Sequence, residues 1–123
     1  MDKKQLIQYI TERYYATEEH PWIKYPNYTV FRHGENKKWF ALFMDIPQNR
    51  LGLAENKIID ILDVKCDPIL VGSLREKDGF YPAYHMNKTN WITVALNGSV
   101  NDEEIIRLID MSFKLTDVKK KHK

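Results

Sequence analysis

Apolar residues Leu6, Ile7, Ile10 and Tyr14 recur at helical spacing, which predicts an amphipathic helix over residues 2–14. Asp2 and Gln5 have the spacing of a capping box at its start. Pro21 and Pro26 then exclude regular helix from residues 20–27. That segment also holds Trp22, Ile23 and Tyr25, so it is expected to lie down on the protein rather than form a solvated linker. Residues 28–33 and 38–46 read as two strands around a hairpin turn at Gly34-Glu35-Asn36-Lys37. The stretch from Trp39 to Met44 is almost continuously apolar, as in a central strand buried on both faces. A third strand is expected over 58–66, with Leu62, Val64 and Cys66 on one face and Asp63 and Lys65 on the other.

Asp67-Pro68 has the form of an N-cap followed by an N1 proline, opening a short helix that ends near residue 76. Asp78-Gly79 breaks the chain before two further strands, over 81–85 and 91–96. The last helix carries the densest local signals. Asn101 can cap it, Glu104 completes a capping box, and Val100 with Ile105 can form a hydrophobic staple. Asp102, Glu103 and Glu104 sit where the helix dipole favours negative charge, and Lys114 sits near the opposite end. Ile105, Ile106, Ile109 and Phe113 are expected to face the sheet. The order is helix, three strands, helix, two strands, helix, an α+β pattern in one domain over 1–116. Residues 117–123 form a lysine-rich tail that is expected to be disordered.

Composition changes this picture little. A chain of 123 residues with 43% hydrophobic and 29% charged residues is an ordinary globular domain, large enough for its own core. Its single cysteine, Cys66, can form no internal disulfide; no secretory leader is expected from the amphipathic start, and no apolar run reaches membrane-spanning length. The cytoplasm is the expected compartment, with no membrane partner. The net charge of +2 is a property of the tail. Four of the 19 Lys and Arg residues lie in the last five positions, leaving 15 basic against 17 acidic residues elsewhere. No basic face is forced on the folded part.

The run Pro82-Ala83-Tyr84-His85-Met86-Asn87-Lys88-Thr89-Asn90-Trp91-Ile92-Thr93-Val94-Ala95-Leu96-Asn97 gathers a histidine, amides, a lysine and aromatics at the start of a strand. Together with Lys65-Cys66-Asp67-Pro68 and Tyr25-Pro26-Asn27-Tyr28, it resembles the YjbR/MmcQ family of small bacterial proteins, from about residue 2 to residue 115. The resemblance implies one twisted antiparallel sheet with helices packed on it, a CyaY-like arrangement that is also similar to frataxins and to type III secretion chaperones. It also implies the DNA-binding label that members of this family often carry.

Two non-enzymatic functions follow. For DNA, the cations at hand are Arg32, Lys37 and Lys38 at the hairpin and Lys88; a turn with Trp39 beside it could act as a wing on phosphates. The alternative is a protein- or small-ligand-binding module. Trp22, Tyr25, Tyr28, Tyr84, His85, Asn87 and Trp91 would line its aromatic groove, since such rims combine stiff area with hydrogen-bond donors. The bland alternative is a loop pinned to the sheet by its own aromatics.

Enzyme chemistry is not expected. Cys66 and His85 both fall at strand ends, as a nucleophile and base would. Yet Cys66 shares the parity of Leu62 and Val64, and Asp67 is better used as a helix cap. No metal or other cofactor is expected: His20, His33, His85 and His122 lack ligand spacing. The acidic ridge of frataxins is also missing. Here Asp2, Glu12, Glu18 and Glu19 are interrupted by Lys3, Lys4 and Arg13.

Overall fold

The computed structural model describes residues 1–117, so the lysine-rich tail lies outside the described residues except for Asp117. Three helices and six strands follow one another as α1 (Lys3–Tyr14), β1 (Thr17–Glu19), β2 (Thr29–Arg32), β3 (Trp39–Pro47), β4 (Ile58–Lys65), α2 (Pro68–Leu74), β5 (Phe80–Pro82), β6 (Trp91–Ala95) and α3 (Asp102–Thr116). A single 3-10 turn, Gln48–Leu51, joins β3 to β4. The strands form one antiparallel sheet in the order β1-β2-β3-β4-β6-β5. This is the expected α+β layout with one strand more, the three-residue edge β1. Thr17-Glu18-Glu19 is polar and too short to alternate, so it left no pattern to read.

Local chemistry sets the helix ends. The Asp2 side chain accepts from Gln5 N at 2.8 Å, and Gln5 Oε1 accepts from Asp2 N at 2.9 Å, closing the capping box on two otherwise unpaired amides. Asp67 accepts from Ile69 N at 3.0 Å, with Pro68 in the first turn. Asn101 accepts from Glu104 N at 2.8 Å. The strand expected over 81–85 ends early, at Pro82. Proline has no N–H to give the ladder, and the chain turns away before His85, which has a left-handed φ of 64°.

All three helices lie on one face of the sheet. Leu6 and Ile10 of α1, Val71 of α2, and Ile105, Leu108 and Ile109 of α3 pack on Phe31, Phe43, Leu62, Val64, Ile92 and Val94. Each fully buried aliphatic side chain here contributes about 1.5–3 kcal/mol. Ser112 ties α3 to the sheet: its hydroxyl donates to Phe40 O at 2.6 Å and accepts from Lys65 N at 2.8 Å.

The other face has no helix. Val30, Leu42, Met44, Ile46, Ile59, Ile61 and Ala95 form a second buried cluster, covered by Trp22, Trp39, Leu51, Tyr81, Tyr84 and Met86. The alternation of β4 therefore holds, but both of its faces are buried. Asp63, on the face opposite Leu62 and Val64, is fully buried rather than solvated.

Candidate ligand-binding cavity

On this loop-covered face, a cavity of about 340 Å³ opens between two segments and the sheet. Its floor is Leu42 and Met44 of β3, which point to this face by strand alternation. One side is built by Trp22, Tyr25, Tyr28 and Trp39, the other by His85 and Met86.

The aromatic side is fixed by ring contacts. Trp22 stands nearly perpendicular to Tyr28, with centroids 5.8 Å apart, and to Trp39, at 5.7 Å. Tyr25 stacks on Tyr28 at 4.7 Å. Edge-to-face and offset pairs of this kind are attractive through the ring quadrupoles. Burial pushes the Tyr28 phenol above its ordinary pKa, so it stays a neutral donor. Polar ties hold the same loop: Tyr25 N donates to Trp22 O at 3.1 Å, Tyr28 N to Tyr25 O at 3.0 Å, and Lys3 Nζ to Asn27 O at 2.9 Å.

The opposite side belongs to the loop between β5 and β6. Tyr84 N donates to Thr93 Oγ1 at 2.9 Å, and Asn90 O accepts from Cys66 N at 2.8 Å. Asn87 Oδ1 accepts from Thr89 N and Asn90 N, at 2.8 and 3.1 Å. Asn87 thus organises the loop and is not on the cavity wall. Beneath the loop, the Thr93 hydroxyl donates to Asp63 Oδ1. Asp63 Oδ2 is buried with no hydrogen-bond partner. Burial pushes the Asp63 carboxyl up to about 8, against the Thr93 hydrogen bond and the charge of Lys88, which act downward.

Of the residues expected in a groove, Trp22, Tyr25, Tyr28 and His85 line this cavity. Tyr84 is next to it, its ring 4.1 Å from that of His85. Trp91 is buried within the sheet and is absent from the wall. The sequence reading missed Leu42, Met44, Met86 and Trp39 as lining residues. Trp39, Leu42 and Met44 belong to the almost continuously apolar run of β3 and Met86 to the loop between β5 and β6, so their common cavity could be assigned only once the loops were placed.

The basic candidates do not form one patch. Arg32 is engaged: Nε donates to Glu19 Oε1 at 2.7 Å, Nη1 donates to Lys37 O at 3.1 Å, and the guanidinium lies 5.6 Å from the Trp39 ring centroid. Lys37 and Lys38 are exposed in the turn. Lys88 sits elsewhere, exposed beside a separate depression with Arg50 and Tyr84. Cys66 is buried, burial pushes its thiol pKa up, and its sulfur donates weakly to Asp67 O at 3.6 Å. Among the described residues no group of three or more His, Cys, Asp or Glu could hold a metal ion. No described helix is long and apolar enough to cross a membrane.

The model of the YjbR family matches residues 11–115. The chain is 39% identical over 116 residues to the uncharacterized protein YyaQ of Bacillus subtilis, covering 94% of this chain and 98% of that one. A crystal structure of a protein from Pseudomonas syringae is 52% identical, with a TM-score of 0.91 over 94% of this chain and 99% of that one. The Deinococcus radiodurans protein DR2400, of family domain DUF419, is 26% identical with a TM-score of 0.73, over 98% of this chain and 81% of that one. The chain belongs to the YjbR family.

Proposed function

We propose that this YjbR-family chain is a non-catalytic binding module whose aromatic cavity receives a small planar or apolar group. The observation that carries the reading is the enclosure of about 340 Å³ by Trp22, Tyr25, Tyr28 and Trp39 against His85 and Met86. That volume and its few polar groups fit the size and character of small-molecule sites. Because the loops that carry both walls are tied down by hydrogen bonds at their backbone, little loop freedom is lost when a ligand enters. The buried position and raised pKa of Cys66 weigh against nucleophilic chemistry. The proposed place of action is the cytoplasm.

The test uses isotope-labelled full-length protein titrated with soluble aromatic probes, 2-phenylethanol and phenethylamine. Saturable shifts of the Trp22 and Trp39 indole N–H signals, lost in Trp22→Ala, are the expected result. No saturable shift up to about 10 mM, where even a weak site of a few kcal/mol fills, would sink the reading.

A second reading, binding to DNA, rests on a different observation. The exposed Lys37-Lys38 turn is held by Arg32 beside Trp39, so phosphate-binding cations adjoin a wall able to stack a base. Duplex and single-stranded DNA titrated at two salt concentrations would separate it from the first, since phosphate contacts weaken with salt.

A further inference from the structure

We propose that Asp63 is the recognition group of the aromatic cavity, and that its ligand carries a protonated amine whose N–H groups the Asp63 carboxylate receives. The proposal rests on the reading of the cavity as a ligand site and names the chemical class that site takes.

Three observations place Asp63 there. Leu42, on the cavity floor, is the cross-strand partner of Asp63 in the β3–β4 register. Directly opposed side chains on one face stand about 5 Å apart at Cβ. The loop above is the second link. Tyr84 N bonds Thr93 Oγ1, whose hydroxyl bonds Asp63, and the next two residues, His85 and Met86, are the cavity wall. Asp63 is not itself on the cavity wall and is joined to it through Leu42 and through that loop. The third is the orphaned Oδ2, buried without a partner. Leaving such an atom unsatisfied is unfavourable, so it calls for a specific reason.

The chemistry selects the ligand. A carboxylate in a poorly hydrated site gains most from a cation that also donates hydrogen bonds, because the pair offsets the desolvation that burial imposes on each charge. The faces of Trp22, Trp39 and Tyr28 attract the same charge through their quadrupoles. Lys88 is the charged group that acts on Asp63 from the covering loop, and it leaves Oδ2 unbonded. Thr93 from β6 and Leu42 from β3, its other neighbours, are uncharged. Contact with the amine requires the β5–β6 loop to shift, and its residue His85 holds a left-handed φ of 64°, a conformation unfavourable for a non-glycine residue.

Phenethylamine and 2-phenylethanol share a ring and chain length and differ in the terminal group, so they form the matched probe pair. In wild-type protein the amine is expected to bind at least about tenfold more tightly, a difference of about 1.4 kcal/mol. Its binding should also move the Asp63 carboxyl carbon signal to the ionised position with release of a proton. In Asp63→Asn the preference should fall to about threefold or less, what exposed cation–π attraction alone supplies. Equal binding of both probes by wild-type protein, at the cavity signals, would overturn the role of Asp63 and leave the cavity intact. A preference undiminished in Asp63→Asn would do the same. Binding of neither probe would overturn both. Should the Asn variant fail to fold, the wild-type carbon signal decides alone: an Asp63 carboxyl unmoved by bound amine ends the proposal.

Discussion

Asp63 and Thr93 face each other across β4 and β6, and the Thr93 hydroxyl donates to the buried Asp63 carboxyl. The same hydroxyl accepts from the Tyr84 amide. One threonine therefore joins the interior acid to the loop that covers it.

Stability should depend on pH through this acid. Its pKa is raised in the folded state to about 8, so between about 4 and 8 the folded protein holds a proton that the unfolded chain gives up. The folded state is thus favoured most at low pH, and that advantage disappears as pH rises through about 8. The loss approaches about 1.4 kcal/mol per pH unit inside the window. Urea midpoints of wild type and Asp63→Asn at pH 5, 7 and 9 check it. The wild type should lose ground against the variant as pH rises; parallel curves would show that Asp63 does not titrate there.

Ser112→Ala should cost about 1–3 kcal/mol, because it strips hydrogen bonds from Phe40 O and Lys65 N at the buried junction of α3 and the sheet. Chemical denaturation measures it directly. A change below about 0.5 kcal/mol, the range of ordinary surface substitutions, would mean that the two backbone groups find other partners.

Gly79 has φ +90°, and a Cβ there would stand 2.7 Å from Val100 Cγ2 and 2.9 Å from Ser99 Cβ. Gly79→Ala must therefore strain its own backbone and displace Ser99 and Val100, which lead into α3. A loss of about 2 kcal/mol or more is expected, from overpacking and the forbidden dihedral together. Thermal melting reads it; an unchanged Tm would place the Gly79 backbone elsewhere.

Lys37 and Lys38 are both exposed. Replacing both with Ala should leave Tm within about 2 °C, as surface changes do. Affinity for duplex DNA should fall, and its salt dependence should flatten by roughly one unit of slope per lost phosphate contact. Unaltered affinity in a fluorescence anisotropy titration would remove the wing from consideration.

Much of the fold was legible because local chemistry is dense in this chain. Asp2, Asp67 and Asn101 each announced a helix that the structure caps with that side chain. The apolar run of β3 announced a strand buried on both faces. The candidate site was legible only in part. Trp22, Tyr25, Tyr28 and His85 drew notice as aromatic and polar types in loops, whereas Leu42 and Met44 look like any core residues until a loop is seen to stop short of them. Asp63 was placed on the face opposite Leu62 and Val64, but its burial there could not be read from the strand's own alternation. That face is covered by residues as remote in sequence as Trp22 and Met86. Asn87 and Trp91 drew notice for the same types, but one shapes its own turn and the other is buried at the start of β6.

The strand order adds a consequence for the chain as it is synthesised. Strands β1 to β4 form an unbroken meander, but β6, the neighbour that completes β4, is contributed only at Trp91–Ala95. Until those residues leave the ribosome, β4 is the open margin of a nascent sheet, rich in Ile and Leu. Asp63 lies in that margin, in water and ionised, and a foreign strand that paired there would have to bury the acid at the cost of its hydration or of a proton taken up. The chain's own β6 brings a hydroxyl, Thr93, to the matching position. The acid that burdens the finished protein thus disfavours wrong pairings of the unfinished one.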